Sequence, residues 1–172
     1  MEHGIILEQA RQGDQEAFYS LIVLHKTQMY KIAYSYFGNE QDALDAIQET
    51  VCRAYHSFFK LKQPEYFKTW LIRILINYCI DQKRRMKKTT AIVQDLEAEA
   101  YDNSDDKILL RQAMQNLSPK YRSIIILKYF EDLTLKEIAD IMGKPVGTIK
   151  TWLNKALKEL RLELREEEFG DV

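Results

Sequence analysis

The stretch Thr134 to Arg161, TLKEIADIMGKPVGTIKTWLNKALKELR, constrains the fold more than any other part of the chain. Its start, stop and restart signals describe two helices joined by a tight turn. Thr134 followed three residues later by Glu137 is a capping box, in which the hydroxyl accepts from a first-turn amide while the carboxylate reaches back. Leu135, Ile138, Ala139 and Met142 then recur at helical spacing, with Ala139 small enough for a second helix to cross closely, and Gly143 ends the run. Lys144-Pro145 cannot continue it. A second helix is predicted from Gly147 or Thr148, placing Ile149, Leu153, Ala156, Leu157, Leu160 and Leu164 on one side. The other side carries Lys150, Thr151, Asn154, Lys155 and Lys158. Short and cationic side chains near a helix N-terminus are what reaches base edges and phosphates in a major groove. An ordinary helical hairpin also has a solvated polar face. The capping box, the step from Ala139 to Gly143 and the place of Ile149 favour a DNA-binding helix-turn-helix.

With 172 residues, 46% of them hydrophobic, the chain can bury one ordinary core or two small ones, so it is not a disordered chain. A formal net charge of -1 excludes a generally basic nucleic-acid coat, but the charge is segregated. Acids including Glu8, Asp14, Glu40, Asp42, Asp45 and Glu49 dominate before position 60, and Lys60 to Lys88 is basic. Cys52 and Cys79 stand far apart with no clustered histidines, which indicates neither a zinc site nor a disulfide framework and leaves two buried thiols as the expectation. No apolar run approaches membrane-spanning length and the N-terminus lacks a secretory pattern, so a cytoplasmic protein is expected.

Along the chain, Ile5 to Phe37 reads as two helices broken at Gly13-Asp14, with core stripes of Ile5, Ile6 and Ala10, then Ala17, Phe18, Leu21, Ile22, Met29, Ile32, Ala33 and Tyr36-Phe37. Asn39 opens another helix to about Phe59, buried through Ala43, Ile47, Val51, Ala54 and Phe58. Asp42, Asp45, Gln48, Glu49 and Arg53 fall on its other faces. After the loop KLKQPE, Tyr66 to about Lys88 forms a helix with Phe67, Leu71, Ile74, Leu75, Tyr78 and Cys79 inward. Along it Lys68, Arg73, Lys83, Arg84, Arg85, Lys87 and Lys88 are interleaved with Tyr66, Phe67, Trp70 and Asn77. Cations hold phosphates and aromatics stack on unpaired bases, which suits melted nucleic acid. Core aromatics followed by a solvated basic helix end would give the same composition, and this segment alone does not separate the two. From Thr89 to Lys107 periodicity fades and acids accumulate, as in a linker. Helical pattern resumes with Ile108, Leu109, Ala113, Met114 and Leu117; Ser118-Pro119 supplies a cap, and Ile124, Ile125, Leu127, Lys128 and Phe130 follow.

Taken together, the two halves resemble bacterial RNA polymerase sigma factors of the extracytoplasmic function type, within the sigma-70 family, over nearly the whole chain. Leu117-Ser118-Pro119, Arg122, Leu127, Leu133-Thr134, Glu137-Ile138-Ala139, Gly143, Val146 to Lys150 and Ala156 resemble the family's region 4. Asp42-Ala43, Asp45, Gln48-Glu49 and Ala54-Tyr55 resemble region 2.2; Trp70-Leu71, Ile74, Asn77, Asp81 and Arg84-Arg85 resemble regions 2.3 and 2.4. Leu44 stands where the family usually has an acid, and Trp152 and Asn154 replace a more common basic and a bulky residue.

The resemblance implies an all-α protein of two small helical domains: a region 2 domain over 1–88, an acidic linker over 89–107, and a region 4 helix-turn-helix domain over 108–172. It implies a non-catalytic promoter-specificity subunit without cofactor or metal. Asp42, Asp45, Gln48 and Glu49 would dock on core RNA polymerase. Lys62, Tyr66, Trp70, Arg73, Asn77, Lys83, Arg84 and Arg85 would bind the -10 element of promoter DNA and capture unstacked bases. Thr134, Lys144, Thr148, Lys150, Thr151, Asn154 and Lys155 would hold and read the -35 element. It further implies a membrane-associated anti-sigma factor that holds the protein inactive until a stress signal. The competing class, a helix-turn-helix regulator that binds operators without polymerase, has to leave the basic-aromatic helix unexplained. A DNA-processing enzyme lacks paired carboxylates with a metal site or a nucleophile constellation, since His3, His25 and His56 are scattered.

Overall fold

A computed structural model describes residues 2–90 and 105–169, with side chains over 4–86 and 108–165. Eight α-helices make up its regular structure, with no strand among the described residues. The predicted acidic linker is described only at its edges, since residues 91–104 lie outside the described residues, as do the side chains of Lys87 and Lys88.

Local signals place the first three helices. After α1 (Glu2–Arg11), the Asp14 carboxylate accepts from the amides of Glu16 (2.9 Å) and Ala17 (3.1 Å) and starts α2 (Gln15–Phe37). Gly38, at φ 74°, ends α2 by donating its amide to the Tyr34 carbonyl. Asn39 starts α3 (Glu40–Ser57) by accepting from the Asp42 amide (2.9 Å), while its own side-chain amide donates to the Asp42 carboxylate (2.8 Å). Two 3₁₀ turns, Phe58–Lys60 and Pro64–Tyr66, bracket the loop before α4 (Phe67–Thr90). The second half holds α5 (Asp105–Asn116), α6 (Pro119–Ile125), a π turn at Ile126–Phe130, α7 (Leu135–Met142) and α8 (Val146–Phe169).

In the first half α2, α3 and α4 pack on one another, with α1 laid on α2. Their centre is aromatic: Phe18, Phe58 and Phe67 meet edge to face at centroid distances of 5.4 and 5.5 Å, and Trp70 leans on Phe58 and Phe67. In the second half α5, α6 and α7 pack around α8.

Several packing expectations change. Ile5 is 60% exposed, and α1 is anchored by Leu7 and Ala10 one helical face away. In α3 the buried seam also takes in Ala46 and Thr50, whose hydroxyl is satisfied by the Ala46 carbonyl (2.7 Å). Cys79 is buried as expected, whereas Cys52 lies on the exposed side of α3. The Ser118 hydroxyl makes no capping bond, and Pro119 alone sets the first turn of α6. Phe130 is exposed and Ile126 buried instead, because the π turn inserts a residue and rotates the register beyond it. Helix α8 starts slightly earlier than predicted, at Val146, with the Pro145 carbonyl accepting from the Ile149 amide (3.1 Å).

The halves share one continuous core, because α4 also packs against α6 and α7. Helix α4 is accordingly buried along a second stripe, Ile72, Ile76 and Cys79, beside the one facing α2 and α3. Four carbonyls, those of Met114, Gln115, Leu117 and Tyr36, receive the Arg122 guanidinium, which is only 2% exposed; the first three belong to the second half and Tyr36 to α2. Beside it the Tyr36 and Ser123 hydroxyls are hydrogen-bonded, and Ser123 also donates to the Pro119 carbonyl (2.7 Å). A buried cation without a carboxylate partner is tolerable here because its donors are consumed by oriented carbonyl dipoles.

Candidate nucleic-acid interface

The helix-turn-helix is built as its sequence dictates. The Thr134 amide and hydroxyl both donate to Glu137 Oε2 at 2.8 Å, and the Glu137 amide donates to Thr134 Oγ1 at 3.3 Å. Those bonds, the backbone one foremost, hold the Glu137 carboxyl below the usual carboxylate range, with a smaller pull from Lys68 on α4. Gly143 adopts φ 62°, a left-handed conformation that lets α7 stop and the chain turn back. Ala139 and Ile138 on α7 and Ile149 and Ala156 on α8 are buried where these two helices pack.

That crossing leaves Lys150, Thr151, Asn154 and Lys155 exposed on α8, with Lys144 and Thr134 exposed and Thr148 half-buried at the helix starts. Lys150, Thr151, Asn154 and Lys155 fall on one face of α8 by their helical spacing. The Thr151 hydroxyl donates to the Gly147 carbonyl (3.1 Å), so toward a base it offers lone pairs and a methyl group and no proton. Trp152 is half-buried, its ring under the Lys120 ammonium at 4.9 Å, and so packs toward α6.

On α4 and in the turn before it, the residues of the basic-aromatic segment divide. Phe67 belongs to the core, Trp70 is half-buried against it, and Tyr66 is exposed. Phe67 and, in part, Trp70 thus follow the core account, whereas Tyr66 is left at the surface. Trp70, Arg73, Asn77 and Arg84 follow one another at helical spacing, and Asn77, Arg84 and Arg85 are exposed. In the preceding loop Leu61 is buried between the two 3₁₀ turns and leaves Lys62 exposed at the tip. Arg73 and Lys83 are engaged across the molecule: Arg73 Nε donates to the Ile141 carbonyl of α7 (2.9 Å), and Lys83 Nζ donates to the Gln115 side chain (3.2 Å) and lies over the Phe37 ring. Sequence periodicity carries no sign of these contacts.

The predicted polymerase-docking residues lie on α3. Asp45 and Gln48 are exposed beside Leu44, so the surface there is acidic with an apolar edge. Glu49 pairs with Arg53 (2.7 Å), whose guanidinium covers the Tyr78 ring at 5.1 Å. The Tyr78 phenol is raised above its ordinary value, first by burial and next by the Glu49 carboxylate. Asp42 is half-buried with one oxygen committed to Asn39, so it anchors the start of α3 next to that surface. Among the described residues no group of His, Cys, Asp and Glu side chains stands close enough to hold a metal ion, and no helix is long and apolar enough to cross a membrane.

Two family models match the chain: Sigma-70 region 2 over residues 21–89 and Sigma-70, region 4 over residues 107–160. The RNA polymerase sigma factor SigV of Bacillus subtilis is 36% identical over 93% of this chain and 98% of its own length. The ECF RNA polymerase sigma factor SigW of the same organism is 33% identical over 93% and 95%. Among solved structures, the sigma factor RpoE of Bartonella quintana, crystallised with the anti-sigma factor NepR, shares the fold at a TM-score of 0.70 and 24% identity, over 86% of this chain and 96% of that one.

Proposed function

Because the chain belongs to the extracytoplasmic function group of the sigma-70 family, we infer that it binds core RNA polymerase, directs it to a subset of promoters and promotes melting of their DNA. The observation that supports this reading is that one chain exposes two sets of polar and basic side chains of different chemistry. Exposed Lys150, Thr151, Asn154 and Lys155 suit duplex readout in a major groove, with Thr134, Lys144 and Thr148 on phosphates. The loop at Lys62, the rings of Tyr66 and Trp70, Asn77 and the cations Arg73, Lys83, Arg84 and Arg85 suit an unstacked strand. A regulator that only binds operators needs the first face alone.

In this reading residues 1–88 form the unit that meets polymerase and the -10 element, 108–172 the unit for the -35 element, and 89–107 the acidic linker. Asp45, Gln48 and Glu49, with Asp42 at the helix start, present negative charge to a basic surface of the polymerase. Opening follows from capture of unstacked bases, so the chain contributes no catalytic group. It acts in the cytoplasm, and a membrane-associated anti-sigma factor covers these surfaces until a signal releases them.

Run-off transcription tests the function. Purified protein with core polymerase is expected to start transcription at a defined set of promoters that core polymerase alone ignores, while the protein alone binds the same DNA weakly. Tight operator binding without polymerase, together with no initiation by any bacterial core enzyme, would overturn it.

A further inference from the structure

Where α2, α5 and the π turn meet, their side chains leave a cavity of about 360 Å³ lined by Tyr34, Ser35, Leu110, Arg111, Met114 and Phe130. None of these six is among the residues assigned above to promoter DNA or polymerase. Local geometry explains the hollow. The π turn, closed by the Glu131 amide donating to the Ile126 carbonyl (3.1 Å), turns the Phe130 ring out of the core and leaves it 55% exposed as part of the cavity wall. On α5 Met114 is buried and Leu110 half-buried, so with the Phe130 and Tyr34 rings the lining is largely apolar.

One lining group is a permanent cation. Arg111 lies over the Tyr34 ring at 5.7 Å, and that ring leans on Tyr30 at 5.8 Å, so the guanidinium is held by its face. Its N–H groups are uncommitted: among the described residues it makes no hydrogen bond and no ion pair. Arg122 on α6 is the contrast, since its donors are consumed by carbonyls. Ser35 spends its hydroxyl proton on the Lys31 carbonyl (2.6 Å) and brings no second donor. An apolar hollow with one unspent guanidinium fits a molecule with an apolar body and a single carboxylate head. A hydrocarbon without the head leaves a half-buried cation unpartnered, and a multiply charged phosphate finds only one cation in the lining. The volume lies at the lower end of the roughly 300–1,000 Å³ typical of small-molecule sites.

We propose that this cavity binds a medium-chain aliphatic monocarboxylate, with Arg111 taking the carboxylate and Leu110, Met114 and Phe130 the chain. Met114, unbranched and polarisable, lets the lining adapt to the shape of the chain. The site is separate from the promoter-directed function inferred above, and its occupancy requires neither DNA nor polymerase. A ligand held there touches α2 and α5 at once and stabilises the folded chain by mass action.

The test titrates decanoate, below its micelle-forming concentration, into the full chain by calorimetry, with decylammonium as the probe of equal chain and opposite charge. Decanoate is expected to fill one saturable site and to raise the thermal unfolding midpoint, and decylammonium to do neither. In a methionine-methyl NMR spectrum the Met114 signal should shift on binding while that of Met142 on α7 stays. Arg111→Gln is expected to weaken decanoate binding by about tenfold or more, with the unliganded fold checked by the same spectrum. Absence of saturable binding, equal binding of decylammonium, an unmoved Met114 signal, or full affinity in Arg111→Gln overturns the proposal. Should Arg111→Gln fail to fold, Phe130→Ala, which removes an exposed ring, takes its place: weakened binding supports the site and unchanged affinity overturns it.

Discussion

One carboxylate, that of Glu137, ties down the start of the reading motif and reports on it. Thr134→Ala removes the hydroxyl donor and keeps the backbone amide, the larger of the two causes, so the Glu137 pKa should rise only part of the way toward the ordinary glutamate range, which a carbon-detected NMR titration reads directly. Because the folded pKa is depressed, this stabilisation is present above the unfolded pKa and disappears as pH falls through the folded one. At neutral pH the same substitution should cost about 1 kcal/mol of stability, measured by urea unfolding. The thiols give a second residue-scale prediction. Burial drives the Cys79 thiol far above its ordinary range, whereas Cys52 is exposed, so a maleimide should modify Cys52 in the native protein and Cys79 only on unfolding. Caps at Asn39 and Thr134 were legible because donor and acceptor lie within three residues of each other, and at Gly13-Asp14 only the break between helices was. The idle hydroxyl of Ser118 and the inward bond of Thr151 were not, since composition does not say which of several nearby carbonyls a hydroxyl will find.

At the scale of elements, helix periodicity located all the long helices and the side of α8 that faces away from the core. It missed the second stripe of α4. Phe67, Leu71 and Leu75 read as an ordinary buried face, and Ile72 and Ile76 were assigned to none, because an amphipathic pattern reveals an apolar face but not the element that covers it. The two reading helices should be separable by mutation. Lys155→Ala is expected to weaken use of promoters that depend on the -35 element. Asn77→Ala is expected to slow strand opening, followed by permanganate footprinting, with duplex affinity largely kept. Equal loss of duplex affinity from both would abolish this division of labour. The turn between α7 and α8 carries its own prediction. Gly143→Ala meets no atom within 4 Å, so its cost is the left-handed backbone alone, about 1–2 kcal/mol of stability.

For the whole molecule, the two-part layout was legible in the charge segregation and in the two motif blocks, but the contact between the parts was not. It involves Arg122, whose place in the region 4 pattern gave no sign that it is buried between carbonyls from both halves. The chain supplies its own reporters, as Trp70 lies in the first half and Trp152 in the second. Single-tryptophan variants, Trp70→Phe and Trp152→Phe, should give coincident urea transitions if the shared core unfolds as one unit, whereas separated midpoints would mean independent halves. The seam is lined by Ile72 and Ile76, and separating apolar surfaces raises heat capacity. Contact between the halves should therefore be strongest at an intermediate temperature and weaken in the cold as well as in the heat.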